Sequence, residues 1–284
     1  MRIRLFGGNS EPVSANLNNL GWLLYQMGQL DDAEDALRRS LAIKEQIMEP
    51  PHPAIASNQS NLAVVLRTKG DYEEAEYFST QALQQEIKLH GEDHPRVTTA
   101  LNNRTLILID LGHYEEAASN YRLILENNRR QLGPDHLYVG FALSGLSTSL
   151  TEAGRSNEAL PLLDEAITIF RNAVGMEHRY YAMGLALKGQ ALNYINPNQA
   201  MPVLEQAVNV FKQAVGESHP DFARALTSLG RAQFISGHIE AAESTLKKAL
   251  SIQREVLSEP HSNTVWTLIS LGQLVYGPGA LQRG

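Results

Sequence analysis

Six of the nine histidines stand at 52, 94, 136, 178, 219 and 261, at intervals of 42, 42, 42, 41 and 42 residues. Self-similarity at a fixed period of roughly 20–50 residues marks a chain of stacked supersecondary units, none of which buries its apolar face alone. Ser10 holds the same phase one step earlier. Eighteen residues after these positions come Gly28, Gly70, Gly112, Gly154, Gly237 and Gly279, while the unit that is one residue short reads Asn196-Pro197 there. A column of Ala33, Ala75, Ala117, Ala159, Ala200 and Ala242 runs in register with them. A second small column, Ser40, Ala82, Ala166, Ala207 and Ala249, is broken by Ile124, and beside it runs an apolar one, Leu41, Leu83, Leu125, Ile167, Val208 and Leu250.

Each unit reads as two helices. Within the second unit, Ile55, Leu62, Val65 and Leu66, then Tyr72, Ala75, Phe78, Ala82, Leu83 and Ile87, recur at helical spacing. Gly70 between them suits the left-handed conformation that ends a helix. The acidic pairs Asp31-Asp32, Glu73-Glu74 and Glu115-Glu116 open second helices, where carboxylates meet the positive end of the helix dipole. Small residues in register allow neighbouring helices to approach to the short end of the ~8–10 Å range. The expected class is therefore all-α, a right-handed superhelical solenoid of helix-turn-helix repeats. Residues 1–9 read as the end of a truncated second helix, since Ile3, Arg4, Leu5 and Gly7 align with Ile87, Lys88, Leu89 and Gly91. Repeats then follow at 10–51, 52–93, 94–135, 136–177, 178–218 and 219–260, with a half repeat at 261–284. That last half, apolar at Val265, Trp266, Leu268, Leu271, Leu274 and Tyr276, lacks the polar outer face of a terminal cap. The 284 residues therefore read as a window from a longer array, or as a chain whose ends a partner covers, and self-association through the array ends is an expectation.

Composition narrows the functions. With no cysteine, thiolate–zinc sites, iron–sulfur clusters and cysteine nucleophiles are excluded. A net charge of −7 argues against nucleic acid, whose binders carry basic patches. No apolar run approaches the ~20 residues of a membrane span, and the start has no signal-peptide stretch, so a cytoplasmic address is expected. Phosphate-binding, zinc-protease and nucleophile-elbow motifs do not occur. The sequons at Asn58 and Asn103 fall inside predicted helices, where a glycan would clash. The chain is not expected to be an enzyme or to hold a cofactor. The histidine column is no metal site either, because equivalent positions lie two helix diameters apart, roughly 20 Å, whereas zinc holds each nitrogen at ~2.0–2.1 Å. Its expected role is to cap and shape the loop into the next helix, with proline in the first turn as in Asp93-His94-Pro95 and Ser218-His219-Pro220.

The pattern N-L-x-x-x-L-x-x-x-G-x-Y-x-x-A-x-x-x-x-x-x-A-L, from Asn61 to Leu83, resembles a tetratricopeptide repeat. The 42-residue period, loops such as Leu89–Pro95 and the L-N-N-L stretch at Leu17–Leu20 resemble the repeats of kinesin light chains and their bacterial relatives. The resemblance spans essentially the whole chain. It implies a concave face lined by first helices, read around the small column Gly21, Ala63, Thr105, Ser147, Gly189, Gly230 and Gly272. On that reading Asn18, Asn19, Trp22 and Tyr25 line the first unit, Asn61 and Arg67 the second, and Asn102, Asn103 and Asp110 the third. Further along come Phe141, Thr148, Thr151, Glu152, Gln190, Asn193, Tyr194, Arg224, Arg231 and Trp266. In kinesin light chains groove asparagines contact cargo peptide, and the resemblance carries this to Asn19, Asn61 and Asn103, a row at intervals of 42. An amide offers both a donor and an acceptor to the backbone of an extended peptide. The competing role is to satisfy neighbouring helix ends, and Trp22 reads equally as groove anchor or inter-repeat core. Arg67 is the expected ion partner of an amphipathic or aromatic-acidic peptide. The alternative to a peptide-binding scaffold is the sensor arm of a larger signalling protein, an NTPase or caspase-like protease.

Two features depart from the pattern. Arg104 and Lys188 fill a column that elsewhere holds Leu20, Leu62, Leu146, Leu229 and Leu271, and each is expected to snorkel or pair. The short Asn196-Pro197-Asn198 turn is expected to kink the stacking locally.

Overall fold

A computed structural model describes residues 10–256 and 262–276. His261, Gly279 and the leading nine residues read as a helix end lie outside the described residues. Among the described residues the chain is all-α, thirteen helices and no strand. In order they are α1 (Glu11–Gln26), α2 (Leu30–Ile47), α3 (Pro53–Lys69), α4 (Tyr72–His90), α5 (Pro95–Asp110), α6 (Tyr114–Leu132), α7 (Leu137–Glu152), α8 (Ser156–Val174), α9 (Arg179–Asn193), α10 (Pro197–Val215), α11 (Pro220–Ile235), α12 (Ile239–Val256) and α13 (Ser262–Tyr276). Odd-numbered helices are the first members of pairs and even-numbered ones the second. The chain divides into two compact units, Met1–Asn127 and Asn128–Gly284.

In unit 1, α1 packs on α2 and α3 on α4, and each second helix packs on the first helix that follows it. The first helices also touch one another, α1 with α3 and α3 with α5. Unit 2 repeats this order from α7 to α13, with α7, α9, α11 and α13 in contact along one face. The core of unit 1 is built from Ala33, Leu37, Leu41, Ile55, Leu62, Val65, Leu66, Ala75 and Ile107. In unit 2, Leu192, Ala200, Leu204, Leu229 and Ala232 form one cluster. A second is aromatic: Phe141 meets Phe170 at 5.4 Å and Tyr180 edge-on at 4.8 Å.

Each histidine of the column that is described caps a helix. His52, His94, His136, His178 and His219 all have extended backbones immediately before a first helix. Each imidazole Nδ1 accepts the backbone N–H two residues on, from Ala54, Arg96, Tyr138, Tyr180 and Asp221, at 3.1–3.2 Å. Because Nδ1 accepts, the proton of the neutral ring sits on Nε2. One of the four orphan donors at each helix start is thereby satisfied. No group of three or more His, Asp or Glu among the described residues is arranged to hold a metal ion.

The two connections per repeat use glycine differently. Gly70 ends α3 in the left-handed region, φ 93° and ψ 6°, and its N–H returns to the Arg67 and Leu66 carbonyls. Gly91 ends α4 at φ 80° and ψ 160°, a region essentially reserved for glycine. The short connection after α9 does without glycine: Asn196 caps α10 by accepting from Gln199 N at 3.4 Å, and its own N–H returns to Leu192 O.

The small columns sit where helices touch. All six alanines of the first column are fully buried. A Cβ added at Gly21, Gly189 or Gly230 would meet the leucine Cγ of Leu37, Leu204 or Leu246 at 2.6, 2.4 and 2.6 Å. Ser40 fits its column by donating to Ser14 O at 2.6 Å. Arg104 pairs as expected, its guanidinium reaching Thr80 at 2.9 Å, Glu76 at 3.0 Å and Glu116 at 2.8 Å. Lys188 meets Asp164 at 2.5 Å. The acidic openings of the second helices therefore bind neighbouring cations as well as meeting the dipole, as Asp31 does with Lys69 and Glu74 with Arg38.

Candidate functional site

The first helices of unit 1 bring the residues singled out in the sequence onto α1, α3 and α5. On α1, Asn18 is half-buried and Asn19 exposed. Asn61 on α3 donates to Asn18 Oδ1 at 3.2 Å, joining two neighbouring first helices through their amides. Asn102 and Asn103 on α5 are half-buried, and with Asn19 they have no hydrogen-bond partner for their side chains among the described residues. The row is thus a paired centre flanked by amides that make no hydrogen bond to the described residues.

Aromatic surface adjoins it. Trp22 keeps 37% of its surface exposed and lies 5.0 Å from the Tyr25 ring, which packs partly against the unit 1 core. Trp22 is therefore a surface side chain with the Tyr25 ring tilted against it. The two charges assigned to this face neutralise each other: Arg67 Nε on α3 donates to Asp110 on α5, 43 residues further on. Close by, burial pushes the Tyr121 hydroxyl up to about 12, against the opposing pull of the Arg67 charge. Asn58 of the first sequon is fully buried: its amide donates to Leu37 O at 3.1 Å and accepts from Lys44 at 3.2 Å.

In unit 2 the corresponding face is chemically different. Gln190 and Asn193 on α9 donate to the Ser228 hydroxyl and carbonyl at 2.9 and 3.1 Å. The Asn193 Oδ1 is buried with no partner among the described residues. Arg231 on α11 lies over the Trp266 ring, 5.9 Å from its centre. Glu152, at the end of α7, is pushed above the usual carboxylate range because packing strips part of its hydration, an effect the Arg231 charge only partly offsets. Phe141, expected to line the groove, is half-buried and packs in the aromatic cluster with Phe170 and Tyr180.

Two observations escaped the sequence. One is the buried amine of Lys44, 4% exposed, on a helix whose neighbours at 31–35 are carboxylate-rich and give no warning of it. The other is Ser156 at the start of α8, 5% exposed with an unpartnered hydroxyl, which reads in sequence as an ordinary helix opening.

The profile described as tetratricopeptide repeat matches residues 54–130, 106–172 and 196–255, and a second profile of the same description matches 17–54. No curated protein matches the chain at a significant level. Among solved structures, a kinesin light chain array of nearly identical tetratricopeptide-like repeats from Podosopora anserina is similar, with 20% identity, a TM-score of 0.63, 72% of this chain and 98% of that one covered. The apo form of RapI is similar at 15% identity and a TM-score of 0.71, over 90% of this chain and 88% of that one. A Rap protein complexed with Competence and Sporulation Factor is similar at 13% identity and a TM-score of 0.60, over 91% and 73%. At these identities the structures speak for the fold.

Proposed function

The chain belongs to the tetratricopeptide repeat family, and from that premise we propose that it is a non-catalytic scaffold holding an extended polypeptide segment of a protein partner along α1, α3 and α5. The observation that supports this reading is the set of amides without protein partners, Asn19, Asn102 and Asn103, flanking the Asn18–Asn61 pair. In a helix array the backbone bonds are already satisfied within helices, so an incoming extended segment must find its partners among side chains. A row of amides supplies a donor and an acceptor at each step. Trp22 and Tyr25 add a rigid apolar anchor beside the row. Arg67 and Asp110 already satisfy one another, which favours a segment of balanced charge, or one acidic residue that displaces Asp110 from the guanidinium. That a fold neighbour is known in complex with Competence and Sporulation Factor is consistent with a face that receives a partner. No helix among the described residues is long and apolar enough to cross a membrane.

Selection from a displayed library of unstructured peptides tests the proposal. Peptides retained by the wild-type chain are expected to lose at least about tenfold in affinity against an Asn19→Ala, Asn61→Ala, Asn103→Ala variant of unchanged helicity. Unchanged affinity in that variant removes the row from the binding surface. Failure of the wild type to retain any peptide overturns the proposal as a whole.

A further inference from the structure

The first helices of unit 2 carry four lysines and arginines, and three of them are ion-paired within the fold. Arg179 and Arg224 share Asp221 at 2.9 and 3.3 Å, and Lys188 meets Asp164 at 2.5 Å. Arg231 is the exception. Half-buried on α11, it has neither an ion pair nor a hydrogen bond among the described residues. Its guanidinium lies over the Trp266 ring, 5.9 Å from the centre. The Glu152 carboxylate feels this charge without forming an ion pair with it. Apolar surface lies to either side: Trp266 on α13 is 55% exposed, and Ile235, one turn beyond Arg231 on α11, is 53% exposed. Tyr194, 56% exposed, holds on α9 the position that Ile235 holds on α11, counted from Gly189 and Gly230, which lie against Leu204 and Leu246.

An arginine stacked on an indole has its plane fixed, while the edges that carry its N–H groups stay open. Those edges match a carboxylate, which accepts two parallel bonds from one guanidinium. Partial burial makes an arriving carboxylate count for more than it would at an open surface. Apolar side chains on both sides of the guanidinium call for apolar neighbours on both sides of the acid. A residue inside a segment has them, and a chain terminus does not. The Glu152 charge sets a limit: a second acid beside the first would be repelled, so a single acidic residue fits better than an acidic run.

We propose that the Arg231–Trp266 pair receives the side-chain carboxylate of one acidic residue in a partner polypeptide, with apolar residues of the same segment against Trp266, Ile235 and Tyr194. The site lies wholly in unit 2 and does not rest on the amide row of unit 1.

The test is a titration of the intact chain with N-acetyl-Leu-Glu-Leu-amide, read at the indole N–H signals of the two tryptophans by NMR. The Trp266 signal is expected to shift saturably and the Trp22 signal to stay in place. The same peptide with glutamine for glutamate should bind at least about tenfold more weakly, having lost the charge-assisted pair. Arg231→Gln should weaken the acidic peptide as much, and Arg231→Lys, which keeps a charge but not the fork, should recover only part of the loss. Glu152→Gln removes the competing carboxylate and should tighten binding by about threefold, an effect that a merely structural Arg231–Trp266 stack would not produce. N-acetyl-Leu-Leu with a free carboxylate separates the sources: weaker binding is expected, and equal binding overturns the assignment to a side chain inside a segment. Absence of a saturable Trp266 shift, equal binding of the glutamine peptide, or unchanged affinity in Arg231→Gln at retained thermal stability overturns the site. Unchanged or weaker binding in Glu152→Gln overturns the placement of the carboxylate at Arg231.

Discussion

Lys44 carries an amine into the boundary between α2 and α3 and finds one partner there, the Asn58 amide oxygen at 3.2 Å. Desolvation pushes its pKa down to about 8 from 10.5. The sign of the consequence follows from proton binding. Between the two values the unfolded chain holds this proton and the folded chain releases it, so the Lys44 contribution to stability rises as pH increases through that window. Below pH 8 both states are protonated and the contribution is flat. Wild type is therefore expected to gain about 2 kcal/mol between pH 8 and pH 10 relative to Lys44→Met, with urea unfolding of both proteins at each pH as the measurement. Parallel pH dependences would remove the buried charge as its source. Loss of the Asn58 partner shifts the variant by a constant amount and leaves this difference intact. Residues of this kind resist sequence reading because a charge becomes buried only through its neighbours on another helix. Arg67 and Asp110 make the same point. Both were identified as face residues, yet their mutual pairing over 43 positions follows from the stacking of α3 on α5, which no local pattern announces.

At the scale of the helix, the histidine column was legible as a column and as a cap, since it stands before each first helix and proline often follows it. The donor–acceptor geometry was not legible, because histidine is no usual member of the capping set and its ring must turn Nδ1 toward the helix. His52 offers the cleanest test, its ring making the Ala54 bond at 3.1 Å and no ring stack among the described residues. His52→Ala is expected to cost about 1 kcal/mol in urea unfolding, the usual loss when a side-chain cap is removed. His52→Asn, which restores an acceptor at the same distance from the backbone, should recover most or all of it. Equal loss in both variants would place the role of the ring in packing rather than capping. The glycines divide in the same way: Gly70 was legible from its place after an apolar helical run, whereas Gly91 lies within a polar loop where composition alone does not disclose a backbone at φ 80° and ψ 160°.

Across the whole molecule the same columns recur in register, so within each compact unit a repeat presents to its successor the surface its predecessor presented to it. Stability in such an array approximates a sum of repeat terms and nearest-neighbour interfaces. We propose that 136–177 is one such unit, bounded by two histidines with nearly the same backbone, φ −72° and ψ 144° at His136, φ −88° and ψ 145° at His178. Excision of these 42 residues joins Asp135 to His178 and keeps loop, cap and first helix in phase. The residue columns that α7 and α8 offered are offered again by α9 and α10. Tyr180 loses Phe141 and Phe170, so the shortened chain should melt at a lower temperature. Its mean residue ellipticity should nevertheless match that of the parent, and it should unfold in a single transition. Excision of 136–155 instead removes α7 alone, leaves α8 without the first helix it packs against, and should reduce helicity per residue while broadening the transition. If the two deletions behave alike, the 42-residue period is not the unit in which this chain folds. If only the in-register one folds, the spacing of the histidines marks the edges of units that can be removed whole.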